Sequence, residues 1–508
     1  MLARAVWLAA ILAAAVTALY PIWGYAFPPL LDYPNHLAST YVLAHLHDTS
    51  MPFHLWYGER WGLFPYLAWD VMVRAAQFFL PVETAGRVCL SLGVLGLPLA
   101  SWFFLRQANP GNGSLALWAL VGTHNIFLLL GYLNFYLSLT VCFLALGLWL
   151  RWLERPHLVA WFWAAGAFLA LYFSHFVTYC GIAIAVAAYC AFTRKRWRQW
   201  LGTCALFVPG AICYLLSGRA MLKGRVGFTF LGFDDKLDNL WGIMHGYSRR
   251  LDWITLIALA LVFVAGWWKN AEFRWNGPWL GVGVALFAAY WALPWAYGEG
   301  SDLDVRMLPI LYGVIFACAR VGKRGLWLAP IALALFFARA GNVMENYRAM
   351  QPELEGLAGS FSVTPMNARV LPLIEAEQGS DALHHPFAHF WAYGVIRRHW
   401  FSAYLFDIPG VTLLKVEQQA YTMDGFWDLE YTETPDWEAM RTDYDYAWAY
   451  NTPQYDAGFK SLGELAYASG KLKLYRIHTR GEDSSDSVTA QAAPGGRGTR
   501  APPVPIPQ

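Results

Sequence analysis

The sequence predicts an α-helical polytopic membrane protein of about eleven transmembrane helices, with interfacial helices in the first outer loop and a small C-terminal exported α/β domain. Three observations predict it. Of 508 residues, 57% are hydrophobic, 17% aromatic and only 14% charged, against about 25% charged in an ordinary soluble domain. Uncharged runs recur at the roughly 17–25 residues that cross a bilayer as a helix. The basic clusters between those runs fall on one side of the membrane, as cytoplasmic loops do.

Residues 5–26 carry no charge and form the first span. Pro21, Trp23 and Tyr25 fit an anchor with an aromatic interfacial end. A cleaved signal peptide would need a shorter apolar core and a small-residue cleavage site. Further spans are expected at 85–105, 115–130, 132–150, 158–174, 175–192, 199–217, 251–268, 278–296, 307–319 and 325–340. Residues 107–150 contain no Lys, Arg, Asp or Glu and are too long for one crossing, so they divide at "GYLN" (131–134). Residues 158–193 divide at His175.

The stretch 64–81 is read as a helix lying along the outer interface. Counting it as a span breaks the positive-inside pattern, whereas leaving it out puts Arg106, Arg151, Arg155, residues 193–198, Lys269, Arg274 and residues 319–324 on the cytoplasmic side. Counting it would also place Asp70 and Arg74 in lipid, where a central charge costs about 2.5–3.5 kcal/mol. The expected protein therefore crosses the inner (plasma) membrane with its N-terminus cytoplasmic and its C-terminal domain outside. Its units are a transmembrane body at 1–340, holding outer loops at 27–84 and 218–250, and an exported α/β domain at 341–480. In that domain 368–373, 445–450 and 471–478 read as strands, and 387–399 and 455–469 as helices. Residues 481–508 lack aromatics and have the composition of a disordered tail.

Several function classes drop out. The net charge is +2 and no basic tract is interleaved with aromatics, so nucleic acid is not an expected partner. The seven cysteines all lie in apolar segments without CxxC spacing and read as small buried hydrophobes. No phosphate-binding loop, zinc-protease helix, nucleophile elbow or dinucleotide fingerprint stands in a usable context. The histidines of "LHHPFAH" (383–389) could bind metal, but no Cys or carboxylate pattern accompanies them. His124 and Asn125, mid-span, read as helix–helix hydrogen bonds.

The remaining polar groups gather on the outer side. Asp32 and His36 stand in "LLDYPNH", with Pro34 placing the helix start at or after itself. Asp32 then lies just ahead of that helix and His36 in its first turns. An exposed Asp is ionised at neutral pH. It could act as a general base, help hold a divalent cation, or simply cap the helix. Arg306 precedes a span at the membrane surface. It could hold a phosphate bidentately, snorkel, or pair with Asp302 or Asp304. Asp70, Asn134, His175, Glu299, Asp302 and Asp304 are supporting candidates, with Tyr132 beside them. The seven aromatics of 31–64 could stack on sugar faces or form an interfacial belt.

This pattern resembles the integral membrane glycosyltransferases of the GT-C architecture, in particular relatives of the aminoarabinose and protein mannosyl transferases. The resemblance rests on "LLDYPNH" after the first span, on "FPYLAWDVMVRAAQFFLPVETAGRVCLSL" (64–92), and on "VRMLP" (305–309). It implies a polyprenyl-phosphate sugar as donor, with its phosphate near Arg306. It implies Asp32 as base on the acceptor or as the group that orients it, His36 on donor phosphate or acceptor, and inversion at the anomeric carbon. The first-loop acid is single, and Asp70 is a second acid by analogy only, so metal dependence stays open. The acceptor, whether lipid, glycan or protein, is not specified, and membrane lipids are the remaining partner. The competing classes are a non-catalytic assembly or scaffold protein and a transporter or flippase of a lipid-linked substrate. The transporter predicts polar residues continuing through the bilayer.

Overall fold

The structure, a computed structural model, describes residues 2–221, 227–242, 244–269, 274–297, 301–320, 328–375, 383, 385, 387–423 and 434–478. The expected tail at 481–508 lies outside the described residues.

The chain opens with α1 (Leu2–Trp23), α2 (Tyr33–His45), α3 (Phe53–Trp56), the strand β1 (Tyr57–Glu59) and α4 (Ala68–Gln77). Next come α5 (Val82–Ala108), a 3-10 turn at Asn112–Leu117, α6 (Trp118–Val121), α7 (Ile126–Leu129) and α8 (Leu133–Glu154). They are followed by α9 (Leu158–Ser174), α10 (Phe176–Thr193) and α11 (Trp197–Met221). The middle of the chain adds β2 (Phe228–Thr229), α12 (Phe233–Gly242), α13 (Arg249–Lys269), β3 (Arg274–Trp275), α14 (Gly277–Ala292) and β4 (Ala296–Tyr297). Then come α15 (Leu308–Ile315), β5 (Ala319–Arg320) and α16 (Leu328–Val363). Among the described residues six helices are long and apolar enough to cross a membrane, those within α1, α5, α8, α10, α11 and α16. Shorter apolar helices lie at Leu115–Leu129, Leu158–Ser174, Gly277–Ala292 and Val305–Ile315. This is a multi-pass membrane protein.

Residues 64–81 contain only the ten-residue α4, about 15 Å of helix and too short to cross a bilayer. The segment 115–130 differs from the continuous span expected. It breaks between α6 and α7, and local side chains replace the lost ladder. Asn125 Oδ1 accepts from Leu128 N (3.1 Å), Asn125 Nδ2 donates to Gly122 O (2.9 Å), and Tyr136 Oη donates to Thr123 O (2.8 Å). His124 Nε2 donates to Ala18 O of α1 at 3.0 Å. Irregular backbone at membrane depth persists only where such partners meet its polar groups.

The span expected at 307–319 is helical only through α15, after a 3-10 turn at Val305–Met307. The one expected at 325–340 begins a 36-residue helix, α16, that runs unbroken through residue 340. Its second half becomes a wall of the C-terminal unit. There Trp448 Nε1 donates to Ser360 Oγ (3.0 Å) and Tyr467 Oη to Gly356 O (2.7 Å).

That unit holds β6 (Val370–Ile374), α17 (Ala392–Arg398), β7 (Leu414–Val416), α18 (Trp437–Asp443), β8 (Tyr446–Tyr450), α19 (Asp456–Leu462), β9 (Gly463–Ser469) and β10 (Leu472–Ile477). Its sheet has the order β6-β8-β10-β9, with β6 parallel to β8 and the other pairs antiparallel. "VLPLI" and "YAWAY" are buried at every position, the unbroken apolar run of a strand covered on both faces. Two expected helices are shorter than the sequence suggested. Residues 455–469 are helical only to Leu462; beyond it β9 pairs with β10, and the ladder outweighs the local helix preference of "ELAYAS". Residues 387–391 form turns before α17.

The C-terminal unit grips the segment between α1 and α5. β1 pairs antiparallel with β7, and Arg60 ion-pairs with Asp407. Tyr57 Oη donates to Ser402 O (3.0 Å) and accepts from Ser402 N (2.9 Å). Arg397 bonds both oxygens of Glu83 at 3.0 and 3.1 Å, with its guanidinium 4.8 Å from the centre of the Phe27 ring.

Candidate functional site

The site is built around the start of α2. Leu31 N and Asp32 N donate to the carbonyls of Leu129 and Leu130 at 3.2 and 3.1 Å, so α2 is seated on the end of α7. Gly131 permits the approach: its φ is +79°, and a Cβ there would lie 2.7 Å from Asp32 N. On the other flank a Cβ on Gly86 of α5 would meet the Tyr33 hydroxyl and Leu37 at 2.6 Å. Tyr33 also packs edge-on against the buried Trp69 of α4, ring centres 6.0 Å apart.

Asp32 occupies the position before the first residue of α2, yet its side chain makes no capping bond. The carboxylate instead points at His389, with Oδ1 3.5 Å from Nε2, and is only 17% exposed. Burial therefore pushes its carboxyl up to about 7, with the Arg306 guanidinium pulling the other way. This corrects the expectation of an exposed, plainly ionised Asp. Burial takes the His36 imidazole down to about 4, so it is neutral at physiological pH. Its ring lies edge-on to Phe406, centres 4.9 Å apart.

A cationic half adjoins this acid. Arg306 Nη1 donates to His175 Nε2 at 3.3 Å. Its guanidinium carbon lies 5.0 Å from the Tyr132 ring centre and 5.8 Å from that of Phe135. The Arg306 Nε and the His175 Nδ1 are buried without hydrogen-bond partners. Among the described residues no carboxylate ion-pairs with Arg306, and its two acidic neighbours are otherwise engaged. Asp302 accepts from Tyr132 Oη (3.0 Å) and Trp295 Nε1 (3.1 Å). Asp304 pairs with Lys236. The Tyr66 ring closes on His175 with centres 4.7 Å apart. Tyr66 and Asp302 both adopt left-handed backbone, φ +72° and +58°. Such strain costs about 1–3 kcal/mol per residue and clusters where function holds it in place.

The structure thus brings Asp32, His36, Arg306, His175 and Asp302 to one end of the bundle, with Tyr132 linking the halves. Other candidates do different work. Asn134 Oδ1 accepts from Trp69 N at 2.9 Å and anchors the start of α4. Asp70 is buried in the first turn of α4, and burial alone raises its carboxyl to about 7. Glu299 lies outside the described residues. Among the described residues no group of three or more His, Cys, Asp or Glu could hold a metal ion.

The sequence did not point to Asn35, and it raised His389 only as one of the histidines of 383–389 weighed for metal, not as a partner of Asp32. Asn35 Oδ1 accepts from Phe406 N (3.0 Å), and its Nδ2 reaches Tyr404 O (3.0 Å) and His389 Nδ1 (3.2 Å). Nothing local marks His389 as a partner of a residue some 350 positions earlier; only the packing of the C-terminal unit on α2 reveals it.

The helices and their arrangement define a multi-pass membrane protein. The chain shares its fold with ArnT from Cupriavidus metallidurans, solved in its apo state: TM-score 0.50 and 12% identity over 94% of this chain and 98% of that one. No family model and no curated protein sequence matches the chain.

Proposed function

We propose that the chain is a membrane glycosyltransferase that moves a sugar from a polyprenyl-phosphate donor to an acceptor on the outer face of the membrane. Asp32 takes the proton of the acceptor hydroxyl as its oxygen attacks the anomeric carbon. The bond from that carbon to the phosphate oxygen breaks, and the lipid phosphate leaves with the electron pair. Arg306 stabilises the departing charge, and attack from the face opposite the phosphate inverts the centre. The neutral His36 hydrogen-bonds acceptor or phosphate, and His175 and Tyr132 hold the guanidinium. A base is most effective with a pKa near the working pH, which is where burial puts Asp32.

The observation that supports this reading best is the pairing of an uncapped, shielded Asp32 with an Arg306 that no described carboxylate neutralises. The likeness to ArnT adds the fold. A transporter would need polar groups through the bilayer, and His124 and Asn125 are satisfied by backbone. The test is incubation of purified protein with a panel of polyprenyl-phosphate sugars, scoring release of lipid phosphate. Release from at least one donor, lost in Asp32→Asn, is expected. Equal release by wild type and Asp32→Asn would remove Asp32 from the chemistry.

A further inference from the structure

We propose that the C-terminal unit completes the reaction centre, with His389 acting as a positioning residue that presents its Nε2–H to Asp32, and with Asn35 fixing the tautomer that makes this possible. The role rests on the reading of Asp32 as the base; the contact does not.

The tautomer follows from the hydrogen bonds. Phe406 N–H donates to one end of the Asn35 amide, which must be Oδ1. The other end is then the NH2 group, and it donates to Tyr404 O and to His389 Nδ1. Nδ1 thereby accepts, so in the neutral ring the hydrogen resides on Nε2. That nitrogen is the one 3.5 Å from Asp32 Oδ1. The separation is long for a formed bond, and such contacts commonly tighten once substrate is present.

The ring is 4% exposed and is edge-on to Phe406, centres 5.1 Å apart. Burial and the nearby His36 depress its titration to about 3, so it stays neutral and keeps its donor throughout the working range. Among the described residues, the groups that act on the Asp32 carboxylate are His389 from the C-terminal unit, Arg306 from the turn before α15 and Tyr132 from the start of α8, while His36, one turn along α2, acts on His389. Of these, His389 alone reaches the carboxylate from the C-terminal unit.

The arrangement gives that unit a definite task. An N–H aimed at the carboxylate favours its charged form, keeping the base available and correctly turned. Because the donor comes from the sheet unit clamped by β1–β7 and Arg397–Glu83, transfer depends on that unit being docked.

The experiment measures carbodiimide labelling of Asp32 against pH in the full-length protein, read by peptide mass spectrometry. The reagent takes the protonated carboxyl, so labelling falls as pH rises through the titration of Asp32. Relative to wild type, His389→Leu is expected to move the midpoint up by about one unit, a tenfold change. His389→Gln keeps an N–H donor and is expected to leave it near the wild-type value. A midpoint unchanged in His389→Leu overturns the proposal. Unfolding would move it the other way, toward the ordinary value of about 4. In that case Asn35→Leu decides, since it frees the tautomer: a rise supports the proposal and no change overturns it. Labelling does not require turnover. A rise in His389→Leu beside a wild type that releases no lipid phosphate would sink the transferase reading and leave the contact standing.

Discussion

Lys236 and Asp304 form an ion pair of 3.1 Å with both side chains almost wholly inaccessible, two residues before Arg306. Lys236 Nζ also donates to the carbonyls of Tyr290, Trp291 and Leu293 at 3.1, 3.2 and 2.7 Å. These are the last carbonyls of α14, where a cation is favoured. Asp304 in turn accepts from Val305 N at 2.8 Å. One lysine on α12 therefore fixes the end of α14 and the turn that aims Arg306.

Breaking that pair from one side leaves a buried charge uncompensated. Lys236→Met is expected to destabilise the protein by about 3–5 kcal/mol. Lys236→Met with Asp304→Asn should recover part of the loss. Chemical denaturation in detergent, following tryptophan fluorescence, measures both. A single variant as stable as the double would mean that Asp304 does not depend on Lys236.

The membrane body was legible because it rests on composition. Lipid demands apolar helices, and apolar runs of the right length are visible residue by residue, as at α5 and α8. The end of the bundle that carries the polar groups was legible too, because charge patterning places Asp32, His175 and Arg306 together. What escaped depends on packing. The break at residues 122–125 is made tolerable by Tyr136 and by the Ala18 carbonyl of another helix. The strand at β9 exists because β10 is there to pair with it. His389 and Lys236 reach the site from distant parts of the chain, and neither carries a local signal beyond its residue type. The shielding of Asp32 is likewise a property of the assembled unit, and no reading of "LLDYPNH" alone supplies it.

Asp70 offers a test by pH. Its carboxyl is raised to about 7 by burial, above the value near 4 of an unfolded chain. The folded state therefore holds a proton that the unfolded state releases between these pH values. Its contribution is favourable only at low pH and is lost as pH rises through the folded value. The full penalty is on the order of 4 kcal/mol above pH 7. Asp70→Asn should be nearly neutral at pH 3.5 and stabilising at pH 8. Unfolding followed at both pH values checks this, and an equal effect at the two would be the wrong outcome. If Asp70 also serves transfer, the stabilised variant would lose activity.

Gly131 is the backbone contact on which Asp32 rests. Gly131→Ala places a methyl 2.7 Å from Asp32 N at a φ of +79°. The left-handed backbone alone costs about 1–2 kcal/mol, and α2 must also shift. A loss of about 2–4 kcal/mol in stability is expected, with transfer falling more than donor binding, because Arg306 is held by other contacts. Retention of full activity in a folded Gly131→Ala protein would show that the seat of α2 tolerates displacement.

On the proposed function, with Asp32 as base, Arg306 acts on two properties that separate by substitution. Its charge lowers the titration of Asp32, which burial has raised to about 7. A base must be ionised to work, so kcat/KM should rise with pH to a plateau, with its inflection near 7. Arg306→Ala removes the opposing charge, and the inflection should move upward, leaving less active base at neutral pH. Arg306→Lys keeps a positive charge but loses the planar fork suited to phosphate. It should hold the inflection near the wild-type position while raising the donor KM about tenfold or more. Arg306→Ala should show both changes. Profiles of kcat/KM between pH 5 and 9 for the three proteins make the comparison. An inflection that does not move in Arg306→Ala would mean that the guanidinium and the Asp32 carboxylate do not interact, and a donor KM unchanged in both variants would place the phosphate elsewhere.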